Sequence, residues 1–418
     1  MNDNHSDDAL YYKRRWLAGG LRAAAKTSPV IVLSGARQVG KSTLLRFERP
    51  FNDWAYFTLD DFETAAVAAT NPEALWSSAR RVVIDEVQKA PNLLGAIKSA
   101  VDAGRGDINF VLSGSANLLL MQKVSESLAG RAVYFTLLPM TRGEENERRA
   151  PAWLTSAFSG RLPAAKRLNA GERPEPLILR GMMPPLISMP GRADQLRWWE
   201  GYVVTYLERD LRQLSQVDSL IDFRRVMEAL ALRSGQILNQ TEVSRDTAVS
   251  QPTIYRYINL LEASVVLTRV PAFTRNRTKR LIKSPKPYFV DPGLAAFLCG
   301  HFDQESLSNS RELGALFETL VLLHLRAACQ LMVPSARIYH WRTVTGNEVD
   351  FILEYGRKLI AVEVKMTSKP KFSDARSLRL FLDEHPEAAA AFLVHTGAEI
   401  VYLDKKIVAV PWQVIAGN

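Results

Sequence analysis

The sequence predicts an α/β protein in which a parallel-sheet domain is followed by a helical middle and a second α/β domain. Short β-branched runs alternate with helix-like stretches as far as about residue 145, which is typical of parallel βαβ units. The pattern is helical from about 190 to 265, and strand-like runs return after residue 312. The expected divisions are a parallel-sheet domain at 1–145, a helical linker or lid at 146–220, a helix-turn-helix domain at 221–300 and a second α/β domain at 301–418.

The composition places the chain among ordinary globular proteins. Of 418 residues, 47% are hydrophobic and 23% charged, which excludes extensive disorder. Cys299 and Cys329 have no metal-ligand spacing, so reduced thiols in a cytoplasmic protein are expected. The polar N-terminus and the lack of an apolar run near ~20 residues predict neither a targeting segment nor a membrane partner. The net charge of +9 is compatible with a polyanionic partner, although many basic proteins bind no nucleic acid.

Four strand-like runs, at 29–35, 55–60, 81–86 and 108–114, make up the predicted first sheet. The first run leads into a phosphate-binding P-loop that stands between a strand and a helix, the context this motif requires. Its glycines let backbone N–H groups face the phosphates, and the helix N-terminus adds partial positive charge. Lys41 is expected to reach the β and γ phosphates of ATP, and Ser42 to ligate Mg²⁺. The predicted nucleotide-binding residues are Gly35, Ala36, Arg37, Gln38, Val39, Gly40, Lys41, Ser42, Thr43, Asp85 and Ser115.

Acidic residues at the end of the third run are the expected partners of the P-loop. Asp85 would lie near Mg²⁺ and Glu86 would orient a water, unless the pair only caps the next helix. After the fourth run, Ser115 or Asn117 could report on the γ-phosphate. Arg131 follows a predicted helix and is expected either to reach a neighbouring subunit's nucleotide as an arginine finger or to bind a carbonyl or a surface acid.

Residues 236–262 show the pattern of a helix, a tight polar turn and a second helix. Ser250 is a candidate N-cap of the second helix, and Thr253, Tyr255 and Arg256 fall on or near its exposed face. A helix-turn-helix unit of this kind can place its second helix in a major groove, but such units also serve as plain packing modules.

A basic arm, residues 269–286, follows and contains seven basic residues and no acid. After a recognition helix it would form the wing of a winged-helix domain on the phosphate backbone, or alternatively a solvated hairpin or an interface within the protein. The predicted nucleic-acid contacts are Thr253, Tyr255, Arg256, Arg275, Arg277, Lys279, Arg280 and Lys283.

The last part of the chain carries a pattern typical of metal-dependent nucleases. Glu318 lies on an amphipathic helix, Asp350 opens a strand, and Glu363 and Lys365 share one face of the next strand because they are two residues apart. Asp350 and Glu363 would hold Mg²⁺, Glu318 would assist, and Lys365 would position or deprotonate the attacking water. The alternative is a nuclease scaffold that only binds. His340 is expected to pack rather than to catalyse.

With these residues in view, the chain resembles a bacterial and archaeal family of AAA-type ATPases that join an N-terminal P-loop domain to a C-terminal domain of unknown function. The resemblance covers roughly 25–370, and Gly181-Met182-Met183-Pro184 departs from the family's usual Gly-Gly before an aromatic residue and Pro. It implies an AAA+-like ATPase core, a winged helix, a restriction-endonuclease-like end and, since such cores often form rings, a homo-oligomer. The matching segments are 35–42, 82–88, 113–131, 178–185, 206–211, 283–300 and the EVDF and EVK strands with GALFETLV.

Two hypotheses about function follow from the sequence. The first is a cytoplasmic ATPase that binds DNA and cuts it in a metal-dependent reaction coupled to ATP. The second is a nucleotide-dependent regulator or scaffold that binds DNA or protein and performs no cleavage. A small-molecule kinase would leave the basic arm and the Glu363–Lys365 strand unexplained.

Overall fold

The computed structural model describes residues 12–104, 107–114, 128–168, 171–205, 219–276, 280 and 283–417. The chain forms two compact units, which comprise residues 1–139 with 263–265 and residues 140–262 with 266–418. They are the first and the second unit, respectively.

A five-stranded sheet forms the centre of the first unit, and every neighbouring pair of strands in it is parallel. The strand order is β2-β3-β4-β1-β5, which places the ends of β1 and β3 at the same edge, where ligands bind in open α/β sheets. The predicted α/β fold with an N-terminal parallel sheet is confirmed. The strands are β1 (Val30–Gly35), β2 (Ala55–Thr58), β3 (Arg81–Asp85), β4 (Asn109–Ser113) and β5 (Ala132–Leu137).

Helices cover this sheet because its central strands are apolar on both faces, as parallel strands require. All six residues of β1 are buried, and Trp76 packs edge-on against Phe110 of β4 with ring centroids 5.1 Å apart. The helices are α1 (Ala18–Ala24), α2 (Lys41–Phe47), α3 (Phe62–Thr70) and α4 (Leu93–Gly104), with 3-10 turns at Phe51–Asp53, Pro72–Trp76 and Val87–Lys89.

The second unit is built around a seven-stranded mixed sheet of order β6-β13-β14-β12-β11-β10-β9. The hairpins β9–β10 and β10–β11 are antiparallel, whereas β11, β12 and β14 run parallel to one another. A separate antiparallel pair is formed by β7 and β8. The strands are β6 (Lys166–Arg167), β7 (Leu267–Val270), β8 (Lys286–Phe289), β9 (Arg337–Arg342), β10 (Glu348–Tyr355), β11 (Lys358–Lys365), β12 (Ala388–His395), β13 (Glu399–Tyr402) and β14 (Ile407–Pro411).

Helices dominate the first half of the second unit, including the polar segment that the sequence predicts as a linker or lid. The described helices of the whole second unit are α5 (Arg142–Glu145), α6 (Trp153–Phe158), α7 (Glu175–Arg180), α8 (Pro184–Ile187), α9 (Arg192–Gly201), α10 (Leu220–Ala231), α11 (Gln240–Thr247), α12 (Gln251–Ala263), α13 (Pro292–Leu298), α14 (Gln304–Ser308), α15 (Leu313–Gln330), α16 (Arg376–Glu384) and α17 (Trp412–Ala416), with a 3-10 turn at Phe372–Ala375.

By length and composition alone, helix α15 could cross a membrane, and it is the one such helix among the described residues. That is weak evidence, because 61% of it is buried inside the second unit and buried core helices pass the same test. Cys329 is buried on this helix and Cys299 is partly buried at the end of α13, both as free thiols.

The loop at Gly181, which departs from the resembled family, is a packing element. Gly181 has φ +88°, and a Cβ there would lie 2.6 Å from the Trp199 ring. A Cβ on Gly293 would lie 2.4 Å from the Gly181 Cα. Asp291 ties the two segments together by accepting hydrogen bonds from the backbone N–H of Met182 at 2.8 Å and of Gly293 at 2.7 Å. The segments 178–185 and 283–300, which both carry the family resemblance, therefore pack against each other.

Candidate functional site

The P-loop lies between the end of β1 and the start of α2, as predicted. Gln38 and Gly40 have positive φ angles of 64° and 92°, which curl the backbone so that its N–H groups can line a concave surface. A Cβ on Gly35 would lie 2.5 Å from the Leu137 carbonyl oxygen, so β5 admits only glycine there. Val39 is fully buried, and Arg37 and Thr43 are exposed.

Lys41 is buried at the base of this loop, with 6% of its surface exposed. Its Nζ donates hydrogen bonds to the carbonyl oxygens of Gly35 and Ala36, each at 3.0 Å. Burial lowers the pKa of Lys41 to about 8, against the opposing effect of the Glu86 and Asp85 carboxylates. Both acids at the end of β3 are therefore close enough to act on the P-loop lysine.

Asp85 and Glu86 take different environments although they are adjacent. Asp85 is 2% exposed and accepts hydrogen bonds from the Tyr56 hydroxyl at 2.5 Å and from the Glu86 backbone N–H at 3.1 Å. Glu86 adopts a left-handed backbone with φ 56° and accepts a hydrogen bond from the Gln88 amide. Burial and the Asp85 charge raise the pKa of Glu86. Glu86 stands at the N-cap of the following 3-10 turn, and its side chain makes no capping hydrogen bond there.

Arg15 holds the P-loop in place and was not expected from the sequence. Its guanidinium is buried and donates to the Val39 carbonyl at 3.0 Å and to the Leu138 carbonyl at 2.6 Å, which ties the loop to the segment after β5. No pattern distinguishes it from its basic neighbours Lys13 and Arg14, because its partners are backbone atoms distant in the sequence.

Arg131 is engaged within its own unit. Its guanidinium forms a two-pronged ion pair with Asp102, at 2.5 and 3.0 Å, and donates to the Ala129 carbonyl at 3.0 Å. These contacts match the alternative expected from the sequence, in which Arg131 binds a carbonyl or a surface acid. The role of an arginine finger stays a prediction. Ser42 is half-buried at the start of α2, and Ser115 and Asn117 lie outside the described residues.

The helix-turn-helix pattern falls on α11 and α12. The Ser250 hydroxyl accepts a hydrogen bond from the Thr253 N–H at 3.4 Å at the start of α12. Tyr255 is 53% exposed, Arg256 is exposed, and Thr253 is partly buried. The buried side of α12 packs on α10 through the Tyr257–Phe223 ring contact, with centroids 5.0 Å apart.

The structure corrects the predicted role of Arg280. Its guanidinium forms an ion pair with Glu354 at 3.0 Å, the two side chains being 10% and 12% exposed. It also lies 4.3 Å from the Phe273 ring centroid and 4.8 Å from that of Tyr339. With its charge matched and its surface covered, Arg280 anchors the basic arm to the seven-stranded sheet and cannot serve as a phosphate contact there.

Other members of the basic arm are also engaged within the second unit. Arg269 pairs with Glu262 and donates to the Asn259 side chain at 3.0 Å. Arg275 donates to the Glu384 carbonyl at 2.6 Å. Lys283 is exposed, and the predicted contacts Arg277 and Lys279 lie outside the described residues.

The structure brings together the four predicted nuclease-like residues and adds three more. We call the carboxylates Glu318, Glu348, Asp350 and Glu363 the acid cluster. Its basic and hydroxyl partners are Lys286, Lys365 and Tyr288. The Glu363 carboxylate lies 2.7 Å from Lys365 Nζ. Lys286 pairs with Glu348 and lies 3.8 Å from Glu318, and the Tyr288 hydroxyl donates to Glu318. The Asp350 carboxylate accepts a hydrogen bond from the Val364 N–H at 2.7 Å.

The charges of the acid cluster also act on one another. Burial, followed by the Asp350 charge, raises the pKa of Glu318 and of Glu363, each to about 8. Burial also raises the pKa of Asp350, although Lys286 opposes the shift. Burial is the largest effect on Lys365 and would lower its pKa, but the charge and hydrogen bond of Glu363, together with the charges of Asp350 and Asp374, outweigh it and the net shift is upward.

The donor set suits a hard divalent cation in part. Glu363 Oε2 is buried and has no hydrogen-bond partner, and carboxylate oxygens are the ligands that Mg²⁺ prefers. Within the described ranges, however, no group of three or more His, Cys, Asp or Glu side chains is arranged to hold a metal ion. Asp350 and Glu363 would therefore be the protein ligands of such a cation. The side chains of the acid cluster would adopt another arrangement when it is bound.

Sequence reasoning missed Lys286, Tyr288 and Glu348 as members of this site. In the sequence, Lys286 is one more charge in the basic arm. The only available signal is that Tyr288 follows two positions later, which would put both side chains on one face of a strand. His340 packs beside the site: it is 2% exposed, and burial, together with Lys286, lowers its pKa to about 4.

Comparisons with known proteins identify the parts of the chain. Residues 27–145 match the AAA domain family, residues 172–305 a domain of unknown function (DUF8612) and residues 313–415 a domain of unknown function (DUF4143). Uncharacterized protein Mb2031c of Mycobacterium bovis and Uncharacterized protein Rv2008c of Mycobacterium tuberculosis are each 32% identical over 402 residues, 96% of this chain and 84% of the relative.

Solved structures show more distant likenesses. The Walker-type ATPase PABY2304 of Pyrococcus abyssi superposes with a TM-score of 0.44 at 16% identity, over 67% of this chain and 94% of that one. The RuvB Holliday junction branch migration motor of Thermotoga maritima superposes with a TM-score of 0.27 at 17% identity, over 67% and 94%. At these TM-scores the likenesses carry no argument about function.

Proposed function

Because this chain belongs to the same protein family as the two mycobacterial relatives and has an AAA domain at residues 27–145, we propose that it is a Mg²⁺-dependent ATPase that binds duplex DNA and carries a metal-dependent nuclease centre in its second unit. The observation that carries the proposal is the convergence of Lys41, Asp85 and Glu86 beside the P-loop.

The ATPase part assigns a task to each of these residues. The Lys41 ammonium, now donating to carbonyls of its own loop, would turn to the phosphate oxygens. Asp85 and Ser42 would hold Mg²⁺, which neutralises phosphate charge when bound. Glu86 is set up as a base for the attacking water, because burial beside Asp85 raises its proton affinity.

The DNA part rests on the exposed face of α12. Tyr255 and Arg256 project from the helix that follows the turn, and Lys283 lies exposed in the basic arm. A helix so placed presents side chains to base edges, while the lysine offers one charge to the backbone. Arg275, Arg277 and Lys279 remain predicted contacts, and Arg280 is withdrawn from that set.

The nuclease part rests on the acid cluster. Asp350 and Glu363 would hold the metal, which lowers the pKa of a bound water when present. Glu363 Oε2 supports this role, because a buried carboxylate oxygen without a partner is costly unless a cation or proton accompanies it. Lys365, 2.7 Å from Glu363, is placed to position the attacking water, and Glu318 would assist from α15.

Three assays on the full chain test the parts separately. Phosphate release should fall to background in Lys41→Ala and stay unchanged in Lys26→Ala, an exposed lysine of the same unit. A gel shift with duplex DNA should weaken in Arg256→Ala. Nicking of supercoiled plasmid in Mn²⁺, with and without ATP, should disappear in Asp350→Ala. Unchanged turnover in Lys41→Ala would refute the active-site assignment.

A second candidate function is a nucleotide-dependent regulator whose acid cluster does not cut. Lys286 favours it, because the cluster already holds this ammonium against Glu348 and Glu318. The two candidates separate in the plasmid assay: a regulator would show ATP turnover and a gel shift but no nicking that depends on Asp350.

A further inference from the structure

A lysine from outside the seven-stranded sheet lies inside the acid cluster. Lys286 is on β8, its side chain is 2% exposed, and its Nζ pairs with Glu348 while lying 3.8 Å from Glu318. Tyr288, two residues on, donates its hydroxyl to the same Glu318 carboxylate. Since alternate residues of a strand share one face, β8 presents both groups to the cluster at once.

The charges of the site leave room for one divalent cation once Lys286 is withdrawn. In the fully ionised state, which a bound cation favours, four carboxylates carry four negative charges, and Lys286, Lys365 and Arg342 return three positive charges. A deficit of one positive charge remains, and with Lys286 withdrawn it would rise to two, which is the charge of one divalent cation. Burial makes such an imbalance costly, because charges removed from water must be compensated nearby. The carboxylates counted are Glu318, Glu348, Asp350 and Glu363.

Strand β8, which carries Lys286, is held in place along both of its edges. One edge pairs with β7, in the register that sets Leu267 opposite Phe289. The other edge is held by the loop between α10 and α11, where the N–H of Gly235 donates to the Pro287 carbonyl at 3.0 Å and the N–H of Leu238 to the Pro285 carbonyl at 2.9 Å. The ammonium is therefore fixed by the helix-turn-helix half of the unit, whereas the carboxylates belong to α15, β10 and β11.

We propose that Lys286 is the resident counter-ion of the acid cluster and that a divalent cation binds at Asp350 and Glu363 only when the Lys286 ammonium leaves the cluster. This rests on the proposed function for the identity of the metal ligands. An ammonium and a divalent cation repel each other strongly at a few ångströms in a partly buried site. The lysine thereby keeps the centre closed until β8 moves.

Mn²⁺ binding to the full chain, followed by isothermal titration calorimetry without nucleotide or DNA, tests the proposal. Lys286→Met should bind Mn²⁺ at least about tenfold more tightly than the wild type, since a repelling charge is removed. Lys405→Met, which replaces an exposed lysine of the same unit, should bind as the wild type does. Adding Asp350→Asn to Lys286→Met should abolish the gain. Urea unfolding would verify that each variant is folded, and Lys286→Gln provides a second, polar replacement.

The outcomes separate this inference from the proposed function. Equal Mn²⁺ affinity of wild type and both Lys286 variants, lost in each with Asp350→Asn, would overturn the counter-ion role and leave the metal site standing. No Mn²⁺ binding by any folded variant would overturn both the counter-ion role and the nuclease centre. Tighter binding in Lys286→Met that survives Asp350→Asn would place the ion elsewhere and refute the proposal.

Discussion

Replacing Arg280 by methionine should destabilise the second unit and leave the salt dependence of DNA binding unchanged. The sequence predicts the opposite, because Arg280 lies in a basic arm without acids. In the structure its guanidinium lies 3.0 Å from Glu354, 4.3 Å from the Phe273 ring centroid and 4.8 Å from that of Tyr339. The variant therefore distinguishes a structural ion pair from a phosphate contact.

The magnitude follows from the burial of the pair. The two side chains are only 10% and 12% exposed, so removing the cation leaves Glu354 nearly uncompensated, which costs roughly 3–5 kcal/mol. Loss of the cation–π contacts adds about 1 kcal/mol. The added cost is no larger because methionine keeps the apolar packing against the rings. The free energy of unfolding should fall by about 5 kcal/mol. Removing both charges, in Arg280→Met with Glu354→Met, should recover most of that loss, because apolar replacements of buried ion pairs are often neutral.

Two measurements check this reasoning. Urea unfolding followed by tryptophan fluorescence gives the stability of the wild type, Arg280→Met and the double variant. DNA affinity measured across a salt series gives the number of phosphates neutralised, which should drop by about one in Lys283→Met and stay constant in the Arg280 variants. A folded Arg280→Met with wild-type stability and a reduced salt slope would refute the structural role.

Three further predictions concern single side chains. Glu86→Gln should keep nucleotide binding and lower phosphate release about 100-fold or more, and equal turnover would remove Glu86 as the base. Arg15→Met should destabilise the first unit by about 2 kcal/mol and raise the KM for ATP, because it leaves two carbonyls without their donor, while the exposed Arg14→Met should do neither. Burial lowers the pKa of His324 to about 4, so the unfolded chain takes up its proton first and stability should fall by about 3 kcal/mol as the pH drops from 6.5 to 4. His324→Gln should remove that pH-dependent part, as pH-resolved urea unfolding would show.

Local patterns in the sequence predict most of the first unit. The P-loop and β1 to β4 follow from apolar runs that end in Gly, Asp or Ser, because sheet, loop and helix are consecutive there. Strand β5 was missed because its residues are largely half-exposed or exposed, which hides an edge strand. In the second unit, β13 was missed for a similar reason, because it is short and mostly exposed. Strand β14 was missed although it is a fully buried apolar run.

Contacts between distant segments account for what the sequence could not predict at the sites. Arg15 is recognisable only through its two carbonyl partners, one of which lies 123 residues away. Glu318, Asp350 and Glu363 were predicted because the nuclease-like pattern can be recognised locally on each of the three elements that carry them, α15, β10 and β11. Lys286 was not, since its partner Glu348 belongs to another strand and no spacing connects them.

The basic arm shows why charge along the sequence is a poor map of charge on the surface. Arg269, Arg280 and Lys286 each face an acid contributed by another element, so their charges are matched inside the second unit. What the arm does in the folded chain is connect the helix-turn-helix half to the seven-stranded sheet, through one buried pair at its centre and one at its end. A segment that joins the two halves in this way is well placed to transmit a movement of α12 to the acid cluster. The same residues that weaken the case for a basic wing therefore strengthen the case for communication between α12 and the acid cluster.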